Sequence, residues 1–411
     1  MLCILFNIID SCAFSQADNK IRVDPSRAFG GTVSEFFDNV EYIPLETNKE
    51  SLFGYISDLI ITDSSFVIFD NDTKSILFFN LTGSFIRKIS KTSSQIPNAA
   101  FYDKSLKKIV IISVNGSGGL KSTEYYNLDG TYFKSVSLDK EAKNKLIYSI
   151  YLGYNLFASY NRPYDLENTF AHTDSLFYFF TVNKGPAISN LLPYNKAKNK
   201  ALLKFIGTMP KYFSPPLQNS SFYFSTPLEH QVYRISKDSA AKLFQFVFPA
   251  GLGVNQQLFK IDNEGKIDSI IKQNTWSKDN TILSVSNIVI EGNLVFFKTN
   301  TKAFGYYGPD GGVVNRNFIY NSISGKLIAL ERISPDSSTY YLPFMEPQVV
   351  SFKGVNYGDG NFYAHISSLK MFQSMDATKF KNVQYPASLK KYFTTQDRKS
   401  NPVIVKMKLK G

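Results

Sequence analysis

"FFNLTGSFIRKIS", residues Phe78–Ser90, returns almost position for position as "YYNLDGTYFKSVS", residues Tyr125–Ser137, 47 residues further on. Asn80 matches Asn127, Leu81 matches Leu128, Gly83 matches Gly130, and Arg87 matches Lys134. In each copy a run of residues suited to a pleated, half-buried surface meets Asn-x-x-Gly and then resumes. Asn and Gly tolerate the positive φ that tight hairpins require. After the turn, Phe85, Arg87 and Ile89 fall on one face and Ile86 and Lys88 on the other, the period-two alternation of a strand. Each copy reads as a β-hairpin.

More strands lie upstream. "FVIFD" (Phe66–Asp70) and "GYISDLIITD" (Gly54–Asp63) precede the first hairpin, and "KIVIISV" (Lys108–Val114) precedes the second. A four-stranded antiparallel unit recurring every roughly 40 to 50 residues is the signature of a β-propeller blade. Blurred copies follow. Tyr320–Ile333 restates the hairpin with Ser322 and Gly325 at the turn, and Asn287–Asn300 supplies strands before it around Glu291-Gly292-Asn293. Ser220–Phe248 reads as three strands of a blade, Asn155–Asn183 holds two more, and Tyr357–Ser367 begins the last. Short helices are expected at Asp139–Ile150 and Ser367–Lys379, as insertions between strands. The polar stretches Asn183–Lys200 and Gly251–Asn280 read as long loops gathered on one face. The spacing alone allows about six to eight blades.

Three stretches resemble the six-bladed β-propeller proteins common in gut and environmental Bacteroidetes, and the likeness spans essentially the whole mature chain. "VEYIPLET" (Val40–Thr47) looks like that family's opening strand, Gly54–Ser90 like its first blade, and "NPVIVKMKLK" (Asn401–Lys410) like its closing strand. The family's Gly-rich loop after the first blade is replaced here by "SKTSSQIPNAA" (Ser90–Ala100). The resemblance implies an all-β fold of six four-stranded antiparallel blades in an exported protein, often a lipoprotein. In that fold the strand near Val40–Leu45 would pair with Val403–Lys408 to close the ring.

Composition bounds the rest. The chain has 411 residues, among them 36 Phe and 25 Tyr, and a net charge of +12. Its lysines are scattered, with modest clusters at Lys140–Lys145, Lys196–Lys200 and Lys406–Lys410, so no nucleic-acid partner is expected. Both cysteines, Cys3 and Cys12, precede the repeats, which leaves those without disulfide or cysteine–zinc chemistry. Residues 1–16 read as an export signal cleaved near Ser15–Gln16, or as a lipoprotein signal whose "IDSC" box would lipidate Cys12 and anchor the protein to a membrane. Residues 17–411 are then a single propeller domain, expected to be monomeric and periplasmic or anchored at the outer membrane.

Chemistry is harder to read. The three histidines, His172, His230 and His365, are far apart, and no His-x-x-x-His pair or Gly-x-Ser-x-Gly elbow occurs. "FDNDTKS" around Asp70 and Asp72 has the residues of a calcium loop without its spacing and reads as a turn. No catalytic residue, metal or cofactor is assigned. The candidate ligand-binding residues are Glu229 and His230, at the entry to a strand, and the lone Trp276 in a loop-like stretch. The expectation is a non-catalytic binding or scaffold module of the bacterial envelope that recognises a glycan, peptide or partner protein on one propeller face. The alternative is a hydrolase, lactonase-like or glycan-active, with a polar site at the central channel.

Overall fold

Residues 19–90, 92, 96–114, 120–137, 149–153, 156–161, 176–184, 187–195, 217, 220–253, 266, 269, 281–301, 317–346 and 355–410 are described by the computed structural model. An N-terminal strap contributes β1 (Lys20–Arg22), β2 (Phe29–Thr32), the short helix α1 (Val33–Phe36) and β3 (Phe37–Pro44). Blade 1 follows as β4 (Asp58–Ile61), β5 (Ser65–Asp70), β6 (Ser75–Asn80) and β7 (Phe85–Ile89). Blade 2 is β8 (Ile96–Asp103), β9 (Lys108–Val114), β10 (Leu120–Tyr126) and β11 (Tyr132–Ser137). Blade 3 is β12 (Ser149–Gly153), β13 (Leu156–Tyr160), β14 (Leu176–Lys184) and β15 (Ala187–Asn195). Blade 4 holds β16 (Ser221–Ser225), β17 (Gln231–Ser236) and β18 (Ala240–Val247). Blade 5 is β19 (Ile282–Glu291), β20 (Leu294–Thr301), β21 (Asn317–Asn321) and β22 (Leu327–Ser334). Blade 6 is β23 (Asn356–Gly358), β24 (Asn361–Ile366) and β25 (Val403–Leu409), with β3 as its outer strand. The six sheets form a ring, the six-bladed propeller that the family resemblance implies.

Burial explains why the strands read as they do. Every residue of β5 is buried, because both faces of the sheet are covered by a neighbouring blade. Phe66 and Ile68 pack with Ile43, Tyr363 and Ile404 of blade 6, whereas Val67 and Phe69 pack with Ile109 and Ile111 of blade 2. The outer strand β7 is mostly exposed or half-buried and alternates accordingly. In the opening hairpin, Asn80 Oδ1 accepts the Thr82 and Ser84 N–H groups (3.0 and 2.9 Å) while Gly83 takes φ +87°. The second copy reaches the same shape differently: Asp129 Oδ1 accepts the Thr131 N–H at 2.9 Å and Gly130 takes φ +78°.

Ring closure follows the expected register. β25 pairs antiparallel with β3 from Val403↔Pro44 to Leu409↔Phe37. The strap does more than close blade 6. β1 lies parallel to β18 and β2 parallel to β22, so the chain covers the edges of blades 4 and 5 on its way to blade 6. α1 is held by a capping box between Thr32 and Glu35, and the Ser34 N–H donates to Asp336 Oδ2 at 2.9 Å. Burial pushes the Asp336 carboxyl up, but hydrogen bonds from Ser338 and Ser34 outweigh it and hold the group well below the usual carboxylate range.

Two helices interrupt blade 6 between β24 and β25. α2 (Ser368–Ala377) fits the expected Ser367–Lys379 segment, capped by Ser367, whose Oγ accepts the Lys370 N–H. α3 (Ala387–Thr395) was not anticipated; it seats Leu389 and Tyr392 in the core. The other expected helix, Asp139–Ile150, lies mostly outside the described residues, and its last two residues belong to β12, where Ile150 pairs with Ala158.

Candidate functional site

Chain direction divides the propeller into two unlike ends. Within a blade the first-to-second and third-to-fourth strand connections fall at one end. The second-to-third connections and the links between blades fall at the other. At the first end the connections are tight, such as 62–64, 81–84, 104–107, 292–293 and 359–360. At the second, the flanking strands bracket 161–175, 302–316 and the helical insertion 367–402, together with the inter-blade links 138–148 and 248–281. These are called the turn end and the loop end below.

Two ion pairs between exposed side chains link neighbouring turns at the turn end. Lys104 of blade 2 pairs with Asp359 of blade 6 at 3.2 Å, and Lys107 faces Asp63 of blade 1 at 3.7 Å. Burial raises the Tyr102 and Tyr357 hydroxyls above their ordinary pKa, and the negative charges of Asp63 beside the first and Glu291 beside the second add to the rise. A cleft of ≈ 430 Å³ opens here, lined by Asn39, Asp359, Gly360, Asn361, Lys406 and Lys408.

Polar side chains, some buried and some half-buried or exposed, line up across strands at the loop end. In blade 3, Ser149, Ser159, Thr181 and Asn190 sit on consecutive strands in register, and the Ser149 and Ser159 hydroxyls lie 2.9 Å apart. In blade 2, Ser113 Oγ donates to Glu124 Oε2 (3.3 Å), and Tyr126 reaches the same oxygen. In blade 5, Asn300 Nδ2 donates to Ser284 and Ser286, while Asn317 Nδ2 donates to Glu331 at 2.7 Å. Lys298, paired in register with Ser286 and Asn317, is only 4% exposed. Blade 1 adds Asp70, which organises the β5–β6 turn by accepting the Gly54 and Asp72 N–H groups. That contact bears out the turn reading of "FDNDTKS". Among the described residues no group of three or more His, Cys, Asp or Glu side chains is placed to hold a metal ion.

Of the sequence-named candidates, Glu229 and His230 fall at the same end. Glu229 and His230 form the β16–β17 turn, and the Leu228 N–H of that turn donates to the Leu283 carbonyl at 2.8 Å, beside the start of β19. His230 takes φ +55°, is 5% exposed, and meets Phe248 edge-on at 5.1 Å. Neither ring nitrogen makes a hydrogen bond. Burial therefore lowers its pKa to about 4, the nearby Ile282 carbonyl restoring only part. Glu229 is half-buried; desolvation raises its carboxyl, and Lys242 counteracts. His365, near the end of β24, is buried and likewise lowered to about 4 by desolvation. His172, Trp276 and Cys12 lie outside the described residues. Sequence reading missed the polar rungs, because each Ser, Thr or Asn alone is an ordinary strand residue and only the cross-strand register aligns them.

This architecture defines the class: a six-bladed β-propeller closed by strands from both ends of the chain. The chain belongs to the family described as a domain of unknown function, DUF4934, which matches residues 24–408. No curated protein matches it. Among solved structures it is similar to an inferred exported protein of Bacteroides fragilis, with TM-score 0.58, 13% identity, and coverage of 95% of this chain and 100% of that one. A DUF4221 family member from Bacteroides vulgatus covers 91% of this chain and 98% of its own at TM-score 0.43 and 9% identity. At these identities the likeness concerns the fold alone.

Proposed function

We infer that the protein is a non-catalytic binding module of the bacterial envelope whose ligand or partner is received at the loop end. One observation carries this reading: the two ends of the ring are built for different work. The turn end is built of short connections, two pairs of which are joined by the ion pairs Lys104–Asp359 and Lys107–Asp63. The loop end carries the long connections and the polar rungs of blades 2, 3 and 5. Buried polar groups at a ring's rim cost stability relative to apolar ones and are retained where they serve recognition or order. Propellers host both binding and catalysis, so the fold by itself does not choose. The export inferred for the B. fragilis neighbour, together with the signal-like residues 1–16, supports an envelope location.

The test blocks one end at a time. Cys3 and Cys12 are replaced by serine, and a single cysteine is placed at Asn71 (loop end) or Thr82 (turn end), both exposed positions. Each is coupled to a bulky polyethylene glycol, and binding to hits from glycan and peptide arrays is measured. Blocking is expected at Asn71 and not at Thr82. Equal blocking at both, blocking at Thr82 alone, or turnover of the hit overturns the reading.

A further inference from the structure

The insertion between β24 and β25 leaves and rejoins blade 6 at the loop end. From Ser367 to Asn401 it carries seven lysines and arginines against two aspartates, so it holds a large share of the chain's net charge of +12. Asp376 is engaged by Lys379 and Arg398, each at 2.7 Å, which ties the end of α2 to the segment after α3. Lys381 turns to aromatic rings instead. Its Nζ lies 3.5 Å from the centroid of Tyr341 and 5.9 Å from that of Phe380. Phe380, flanked by Lys379 and Lys381, is 77% exposed.

The backbone presenting this surface is strained. Tyr340 and Tyr341 take φ +57° and +59°, consecutive left-handed conformations that bulky residues disfavour. A buried clamp enforces them. The Tyr341 N–H donates to the Asp336 carbonyl at 2.8 Å, Leu342 is fully buried, and the Tyr42 hydroxyl bonds to the Leu342 and Pro343 carbonyls at 3.1 Å each. Tyr340 rests on Tyr385 (6.0 Å between centroids), which leans on Phe393 (5.1 Å). Strain held in place by the surrounding fold clusters where a surface has a task.

Ring faces select flat C–H surfaces, and cations without an acidic partner select anions. An acidic polysaccharide offers both in every repeat: a pyranose face to stack and a carboxylate or sulfate to pair. Binding to a lipid bilayer scales with the apolar area buried and calls for a broad apolar face, whereas Phe380 is a single ring between two lysines. We propose that this insertion binds an acidic polysaccharide, with the exposed Phe380 stacking on a sugar ring and Lys381, held over the Tyr341 ring, pairing with the anionic groups. The proposal rests on the loop-end reading and gives its ligand a class.

The full chain is titrated by affinity electrophoresis with polygalacturonate and dextran sulfate, with neutral dextran as control and phosphatidylglycerol–phosphatidylcholine vesicles as a competing surface. K381Q and F380A change exposed side chains, and their urea midpoints check that the fold is kept. Wild type is expected to bind one or both polyanions and to weaken by about tenfold between low and moderate salt. Each variant is expected to lose about fivefold. Binding to neither polyanion, equal binding to neutral dextran, unchanged affinity in both variants, or preference for vesicles overturns the proposal. A ligand blocked at Asn71 but indifferent to K381Q and F380A overturns this proposal alone. One blocked from the turn end overturns the loop-end reading with it.

Discussion

Replacing Asn401 tests whether the ring is locked where its ends meet. Asn401 is 1% exposed, and its Nδ2 donates to the carbonyls of Glu46 (2.7 Å) and Ser51 (2.9 Å). Its Oδ1 accepts the Phe53 N–H at 3.4 Å. Residues 46–53 belong to the link from β3 to blade 1, so one side chain pins that link to the closing strand. In N401A the Glu46 carbonyl keeps a partner, because Ser51 Oγ already donates to it at 2.8 Å. The loss falls on the Ser51 carbonyl and the Phe53 N–H. At about 1–3 kcal/mol for each buried group orphaned, and with the Phe53 bond long, the expected loss is about 3 kcal/mol. N401D keeps the acceptor but sets a carboxylate against two carbonyls, so at neutral pH it is expected to cost at least as much as N401A. Urea unfolding reads both as a lowered midpoint at unchanged slope. A loss below about 1 kcal/mol in N401A, or a milder effect in N401D, would refute the reasoning.

The glycines of the repeated turns should rank by what an added Cβ meets. G83A places it 2.2 Å from the Pro44 carbonyl oxygen at φ +87°, and G130A 3.0 Å from Arg87 and Phe78 at φ +78°. G325A keeps a positive φ of +67° in open space and is expected to cost only the roughly 1–2 kcal/mol of a left-handed residue. Melting temperatures that placed G325A below G83A would break this order. The histidines set a pH dependence. His230 and His365 are held near pKa 4 by burial, so between there and the ordinary value of about 6.5 the unfolded chain binds more protons. Stability should fall as pH drops from about 6.5 towards 4, and the double variant H230N/H365N should flatten that limb of the urea-midpoint profile. An unchanged limb would remove the histidines as its cause.

The fold was legible wherever one strand's sequence decides its own state. The Asn-x-x-Gly hairpins, the buried run of β5 and the closing strand each carry their signal locally. The strap strands do not. β1 has three residues and β2 contains Gly30 and Gly31, so neither has a pattern of its own; both exist because β18 and β22 offer open edges. α3 did leave a trace, Leu389 and Tyr392 three apart after Pro386, but its flanking polar residues read as a loop. The site was less legible. Glu229 and His230 could be named because their types are chemically distinctive. The rungs through Ser159 and Thr181 or Ser286 and Lys298 come from unremarkable residues that meet only through pairing across the sheet.

The strap also sets an order of events during synthesis. Residues 20–44 are made before all six blades, yet their partners are residues 245–247, 328–334 and 403–409. β1 has its partner once β18 is made and β2 once β22 is made, whereas β3 must wait, unpaired, until β25. Such long sequence separation slows folding, and it leaves the ring unable to lock before β25 is present. A chain that crosses a membrane unfolded would gain from that delay, since β3 cannot close the ring before β25 has followed it across.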